Sequence, residues 1–233
     1  SMIFSTLNKD WGRDDTPQVF EGVVDDPYKF ATWDEVEYCL NFPCFYDLEF
    51  LHKSQPQTIL LPKYSRAWSR DCEDVADVFA AWADGHGLII NNFDRGFKDK
   101  QIILDEVETL FEGRSAMHVY AGLMKTQSFR IHEDYTSNFI IQVEGETDWT
   151  VYNNRCAWAV KREHRLVFLD GKDKEGLDIA LQHRLKPGDI LYIPARSYHH
   201  AEPDSKRLSV SIPLEHNAMD IKPTDRRYHK LKL

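Results

Sequence analysis

The chain has 233 residues and a formal net charge of −9, with 42% hydrophobic and 12% aromatic residues. That is enough apolar material for one generous domain, and the composition excludes disorder as the default. So acidic a chain is a poor general binder of nucleic acid or anionic membrane, because both reward a basic face. No apolar run nears the roughly 20 residues of a spanning helix. The opening Ser1-Met2-Ile3-Phe4 lacks the basic-then-apolar layout of a secretory signal. The expectation is a soluble intracellular protein, cytoplasmic rather than exported. In such a chain Cys39, Cys44, Cys72 and Cys156, which form no CxxC pair, are expected to be reduced thiols rather than disulfides or a zinc site.

In chain order, residues 2–115 mix helical and irregular segments. Thr32-Trp33-Asp34-Glu35 is a capping box, and Trp33, Val36 and Leu40 share one face, which predicts a helix over 33–40. Asp71 can cap a second helix, in which Val75, Val78, Phe79 and Trp82 follow helical spacing and Gly85 supplies a stop. Leu88-Ile89-Ile90 reads as a short buried strand. A third helix is expected over 101–112, with Ile103, Val107, Leu110 and Phe111 inward and Gly113 at its end.

From residue 116 the period changes to two. Met117, Val119, Ala121 and Leu123 alternate with polar or small residues. Similar runs recur at 139–143, 149–152, 158–160, 165–169, 179–185, 190–194 and 208–214. They are separated by Gly145, Asn153-Asn154, Gly171, Pro187-Gly188 and Pro203. Short strands with regular turn signals indicate an antiparallel barrel or sandwich of the jelly-roll or cupin kind. The expected layout is a single domain: a helical or mixed N-terminal region (2–115) packed on a barrel core (116–214), then a solvated basic tail (215–233).

Chemistry concentrates in two places. His132-Glu133-Asp134 lies near the start of the barrel region; well downstream, Lys186-Pro187-Gly188-Asp189-Ile190-Leu191-Tyr192-Ile193-Pro194 leads to Ser197-Tyr198-His199-His200. Two imidazoles and a carboxylate from separate strands can occupy one face of an octahedral ion, as in the 2-His-1-carboxylate sites of non-haem iron oxygenases. Three positions then remain open for a bidentate co-substrate and O2.

The run His132-Glu133-Asp134 to Asn138-Phe139, Gln142, Gly145, Trp149 and Tyr152, with Pro187-Gly188-Asp189, Tyr192-Ile193-Pro194 and His199, resembles the JmjC-type 2-oxoglutarate oxygenases. Within them it looks closest to the factor-inhibiting-HIF asparaginyl hydroxylase and the ribosomal oxygenases. The resemblance implies a double-stranded β-helix, Fe(II), 2-oxoglutarate and O2. It also implies hydroxylation, or demethylation through hydroxylation, of a protein or small-molecule substrate, with release of succinate and CO2. His132 and Asp134 match the first two iron ligands. The distal histidine follows the proline of Tyr-Ile-Pro by five residues in this family, which is His199; its neighbour His200 should face the other way, because adjacent strand residues alternate.

For the far carboxylate of 2-oxoglutarate, JmjC relatives usually place Lys or Arg fifteen positions after the first histidine. Here that position is Thr147. Arg207, eight residues beyond His199 and followed by Ser209, is the expected substitute, with Arg130, Lys125 and Thr147 itself as alternatives. Tyr120 and Asn138 match positions that line the co-substrate pocket. Two other classes compete with this reading: a cupin metalloprotein that does not use 2-oxoglutarate (another dioxygenase, or an isomerase) and a non-catalytic binding module. The N-terminal aromatics Trp11, Phe20, Tyr28, Phe30 and Trp33 are expected to pack, with a homodimer surface as the alternative.

Overall fold

A computed structural model describes residues 3–10, 16–66, 69–155 and 176–216. Helix α1 (Ile3–Asp10) precedes strand β1 (Gln18–Phe20); helix α2 (Trp33–Leu40) precedes β2 (Asp47–Leu51), β3 (Thr58–Ile59), β4 (Lys63–Arg66) and β5 (Ser69–Glu73). Helix α3 (Val75–Ala83), β6 (Gly87–Asn91), α4 (Lys98–Phe111) and β7 (Gly113–Ser115) complete the N-terminal half. The rest is β8 (His118–Gly122), β9 (Ser137–Glu144), β10 (Thr147–Arg155), β11 (Ile179–Leu185), β12 (Ile190–Ile193), β13 (Ser197–Pro203) and β14 (Arg207–His216). The strands expected at 158–160 and 165–169, Trp11, Cys156 and the tail from 217 fall outside the described residues.

The helices start where side chains satisfy backbone donors. The Thr32 hydroxyl accepts from the Glu35 amide (3.2 Å) and the Glu35 carboxylate accepts from the Thr32 amide (2.9 Å), closing the capping box of α2. Helix α3 is capped by Asp74, whose carboxylate accepts from the Ala76 amide. The expected cap, Asp71, belongs instead to β5, because the chain there pairs with β4. Helix α4 begins at Lys98, earlier than expected, and Glu112 rather than Gly113 takes the left-handed position at its end (φ 51°). Gly113 has another use: a Cβ there would meet the Glu215 carbonyl at 2.6 Å, so its small size allows β7 to pair with β14.

Two antiparallel sheets make the barrel. Among the described residues the larger runs β1-β12-β9-β14-β8-β6-β2-β3, with β7 also on β14, and the smaller runs β11-β10-β13. Side-chain alternation gives each major strand two different faces. Phe139, Ile141 and Val143 of β9, Leu208, Val210 and Ile212 of β14, and Ile190 and Tyr192 of β12 pack outward against Phe4, Leu7, Val36, Val78, Trp82, Val107 and Phe111 of the helices. Ile140, Leu191 and Ile193 point the other way and meet Trp149, Val151, Leu185 and Ala201 of the smaller sheet. The fold is therefore a double-stranded β-helix with helices on the back of its larger sheet.

The N-terminal half is richer in strand than expected. The buried strand expected at 88–90 is β6, but β1 at one end of the larger sheet and β2 and β3 beyond β6 at the other fall where irregular chain is expected. Cys44 and Cys72 are joined as a disulfide with Cα atoms 5.1 Å apart, tying the segment after α2 to β5. This corrects the expectation of reduced thiols for that pair. Cys39 is buried and free.

Candidate active site

The inward face of the barrel changes character towards one side. On β14 the inward residues are Arg207, Ser209 and Ser211, on β9 Asn138 and Gln142, and on β10 Thr147; all are buried. His132 and Asp134 enter this polar zone on the segment before β9. Backbone pairing brings that segment to β13: the His132 amide donates to the His199 carbonyl (3.2 Å) and the His199 amide to the His132 carbonyl (2.8 Å).

The side chains converge as well. One ligand atom from each of His132, Asp134 and His199 lies within 4.8 Å of the other two. His199 Nε2 stands 3.3 Å from Asp134 Oδ2, and the two imidazole centroids are 4.4 Å apart. Each imidazole is held from behind: His132 Nδ1 lies 2.8 Å from the Arg130 carbonyl and His199 Nδ1 2.8 Å from the Ser197 carbonyl. A carbonyl only accepts, so Nδ1 carries the proton in both rings and the Nε2 lone pairs are left for a metal. Asp134 is oriented too, since the Asn138 amide donates to its Oδ2 (3.2 Å) and the Ser211 hydroxyl donates to Asn138 Oδ1 (3.0 Å).

The titration of the pair agrees with this geometry. Burial, aided by the neighbouring His199, pushes His132 down to about 4, so it stays neutral and ready to coordinate. Burial also opposes charge on His199, but the hydrogen bond and field of Asp134 together outweigh it and raise its pKa. A bound cation would displace that proton. Two imidazole nitrogens and a carboxylate, each braced by a hydrogen bond, fit the 2-His-1-carboxylate donor set. His200 lies on the other face of β13, opposite Thr150, and its Nδ1 is 3.9 Å from the Glu202 carboxylate.

Arg207 is only 6% exposed. Its guanidinium lies 5.5 Å from the Tyr120 ring centroid, and among the described residues no carboxylate forms an ion pair with it. Burial pushes its pKa down to about 10, with Tyr120 opposing the fall. Ser209 sits across the register from Tyr120. The Thr147 hydroxyl, the Gln142 Oε1 and the Trp149 indole N–H are buried without a hydrogen-bond partner among the described residues. The alternative cations Lys125 and Arg130 are exposed. A buried cation beside orphaned polar groups is costly unless an anion completes it.

Two further residues, Glu133 and Arg196, lacked any sequence signal of a role at the site, whereas Gln142 is one of the residues that carry the family resemblance. Glu133, the filler of the His-x-Asp motif, is fully buried; Arg196 is buried in the turn before β13; Gln142 holds the β9–β10 turn by donating to the Glu144 and Gly145 carbonyls.

Comparison with known proteins places this arrangement. A family described as JmjC domain matches residues 91–220, more than half of the chain, and the chain belongs to that family. Among curated proteins it is similar to ribosomal oxygenase 1 of Danio rerio (29% identity over 120 residues, 47% of this chain and 20% of the relative). It is also similar to ribosomal oxygenase 2 of Bos taurus (32% over 107 residues, 46% and 22%). Among solved structures, Escherichia coli YcfD superposes with a TM-score of 0.59 at 16% identity, covering 91% of this chain and 52% of YcfD. A YcfD structure described as a ribosomal oxygenase in complex with cobalt and 2-oxoglutarate gives a TM-score of 0.55 at 17% identity, over 86% and 48%. The matches thus span about a fifth of those curated relatives and about half of the solved chains. Among the described residues no helix is long and apolar enough to cross a membrane.

Proposed function

We propose that the chain is an Fe(II)- and 2-oxoglutarate-dependent oxygenase that hydroxylates a protein substrate. The observation that carries this reading is the convergence of His132 Nε2, Asp134 and His199 Nε2 inside a JmjC-family barrel, beside a buried cation with no counter-ion among the described residues. His132, Asp134 and His199 would hold the iron. With 2-oxoglutarate and O2 bound, the iron supplies the oxidant that converts a C–H bond to an alcohol while the keto-acid leaves as succinate and CO2.

The protein's share is positional. The carbonyls of Arg130 and Ser197 fix the imidazole tautomers, and Asn138, held by Ser211, fixes the carboxylate. Arg207 would take the far carboxylate of 2-oxoglutarate, with Tyr120, Ser209 and Thr147 offering hydroxyls around it. That arrangement neutralises the guanidinium and gives the Thr147 hydroxyl a partner. The ordinary family position for this cation is Thr147; here β14 supplies it from the neighbouring sheet.

The similarity to ribosomal oxygenases supports a polypeptide substrate of the ribosomal-protein kind and a soluble, intracellular place of action. The test is direct. Purified protein given Fe(II), ascorbate and 2-oxoglutarate should release succinate, and Asp134→Ala should lower that rate by at least about 100-fold, as expected when a metal ligand is lost. No succinate above the Asp134→Ala background, with and without candidate ribosomal-protein peptides, would overturn the proposal.

A further inference from the structure

The residue between the two ligands of the His-x-Asp motif is a glutamate with no exposed surface. A carboxylate so placed is tolerated only with a partner. Its Oε2 lies 3.7 Å from Nη1 of Arg196, itself 3% exposed. Arg196 is anchored twice more: its amide donates to the Asp134 carbonyl (2.8 Å), and its guanidinium stacks 5.2 Å from the Tyr135 ring centroid. It also takes φ 66°, a left-handed conformation that costs a non-glycine residue about 1 kcal/mol or more. Arg196 stands in the turn that delivers β13, three residues ahead of His199.

We infer that Glu133 and Arg196 are positioning residues: a buried ionic clamp that fixes the His132–Asp134 segment against the turn leading to His199, setting the spacing of the three ligands before any metal arrives. This inference deepens the metal-site reading and rests on it. The clamp spans the two segments the site must hold together.

The test uses Co(II) binding to the metal-free protein, followed by visible absorption, together with thermal melting. Three variants are compared: Glu133→Gln, Arg196→Gly and both together. Glycine suits φ 66°, so Arg196→Gly removes the cation without backbone strain. Each single variant removes one side of the buried ion pair and should melt lower; the double variant removes both charges together and should recover part of that loss. A positioning role predicts that the double variant nevertheless binds Co(II) about 10- to 100-fold more weakly than the parent and with an altered spectrum. Parental affinity and spectrum in the double variant would reduce the pair to a stabilising contact and overturn the inference. If the parent protein takes up no Co(II), the metal-site reading falls and the clamp with it, whereas cobalt binding without succinate release removes only the oxygenase assignment.

Discussion

On the proposed reading, Arg207 is one side chain set up for a ligand at a cost to the fold. Its guanidinium is buried against Tyr120 with no carboxylate in reach among the described residues, and its pKa is lowered accordingly. Replacing it with Met keeps the packing length and removes the unpaired charge. Arg207→Met should therefore melt at the parental temperature or above. It should bind 2-oxoglutarate roughly 100-fold more weakly, the equivalent of losing about 3 kcal/mol of charge-assisted hydrogen bonding. Isothermal titration beside a melting curve checks both halves; unchanged affinity would assign the far carboxylate to another residue. The three converging residues, His132, Asp134 and His199, are legible in the sequence because motif and strand alternation are local properties. The contact between Glu133 and Arg196 is not, because the two residues lie some sixty positions apart and no periodicity links them.

At the level of elements, the β9–β10 connection decides how the polar zone is built. Gly145 there has φ 74°, and a Cβ would run into the Lys206 carbonyl at the root of β14. Gly145→Ala should cost about 2–3 kcal/mol through strain and clash, lowering the melting temperature by about 4–12 °C. Because the same turn is followed by Thr147, 2-oxoglutarate should bind more weakly as well, and a variant that melts like the parent would show that the turn relaxes freely. Strands β8 to β12 and β14 are readable as short apolar or alternating runs between turn signals, whereas β13 (Ser197–Pro203) is not among the expected runs. Strand β1 has three residues and β3 two, too few for a period; they exist through pairing with β12 and β2. Asp47-Leu48-Glu49-Phe50 does alternate, with Leu48 and Phe50 facing the helices, so β2 left a signal that a helical reading of this half passes over.

Across the whole molecule, the N-terminal half is bound to the barrel by several unlike devices. The Glu144 carboxylate accepts from the Trp33 indole (2.6 Å) and the Tyr28 hydroxyl (2.9 Å), while Lys206 lies over the Trp33 ring at 4.5 Å. Buried Lys100 ties α4 to Glu35 of α2 (3.0 Å) and to the Lys29 carbonyl (2.8 Å). The Cys44–Cys72 link closes a loop with a sequence separation of 28, which corresponds to about 3–4 kcal/mol in the chain-entropy account. Reduction should lower the melting temperature by about 6–16 °C and leave Co(II) affinity unchanged, since neither cysteine belongs to the polar zone; a melting curve with and without reductant decides it. The reciprocal amide-to-carbonyl pairing of His132 with His199 has a consequence for selectivity. It ties the segment bearing His132 to the strand bearing His199 through the main chain, independent of any ion, so the cradle is already shaped when it is empty of cargo. A ready-made nest of two nitrogens and one oxygen offers little to tell first-row divalent ions apart, and Ni(II), Cu(II) or Zn(II) would seat in it at least as firmly as Fe(II). On the proposed reading, which ion the protein carries is decided by what its surroundings supply.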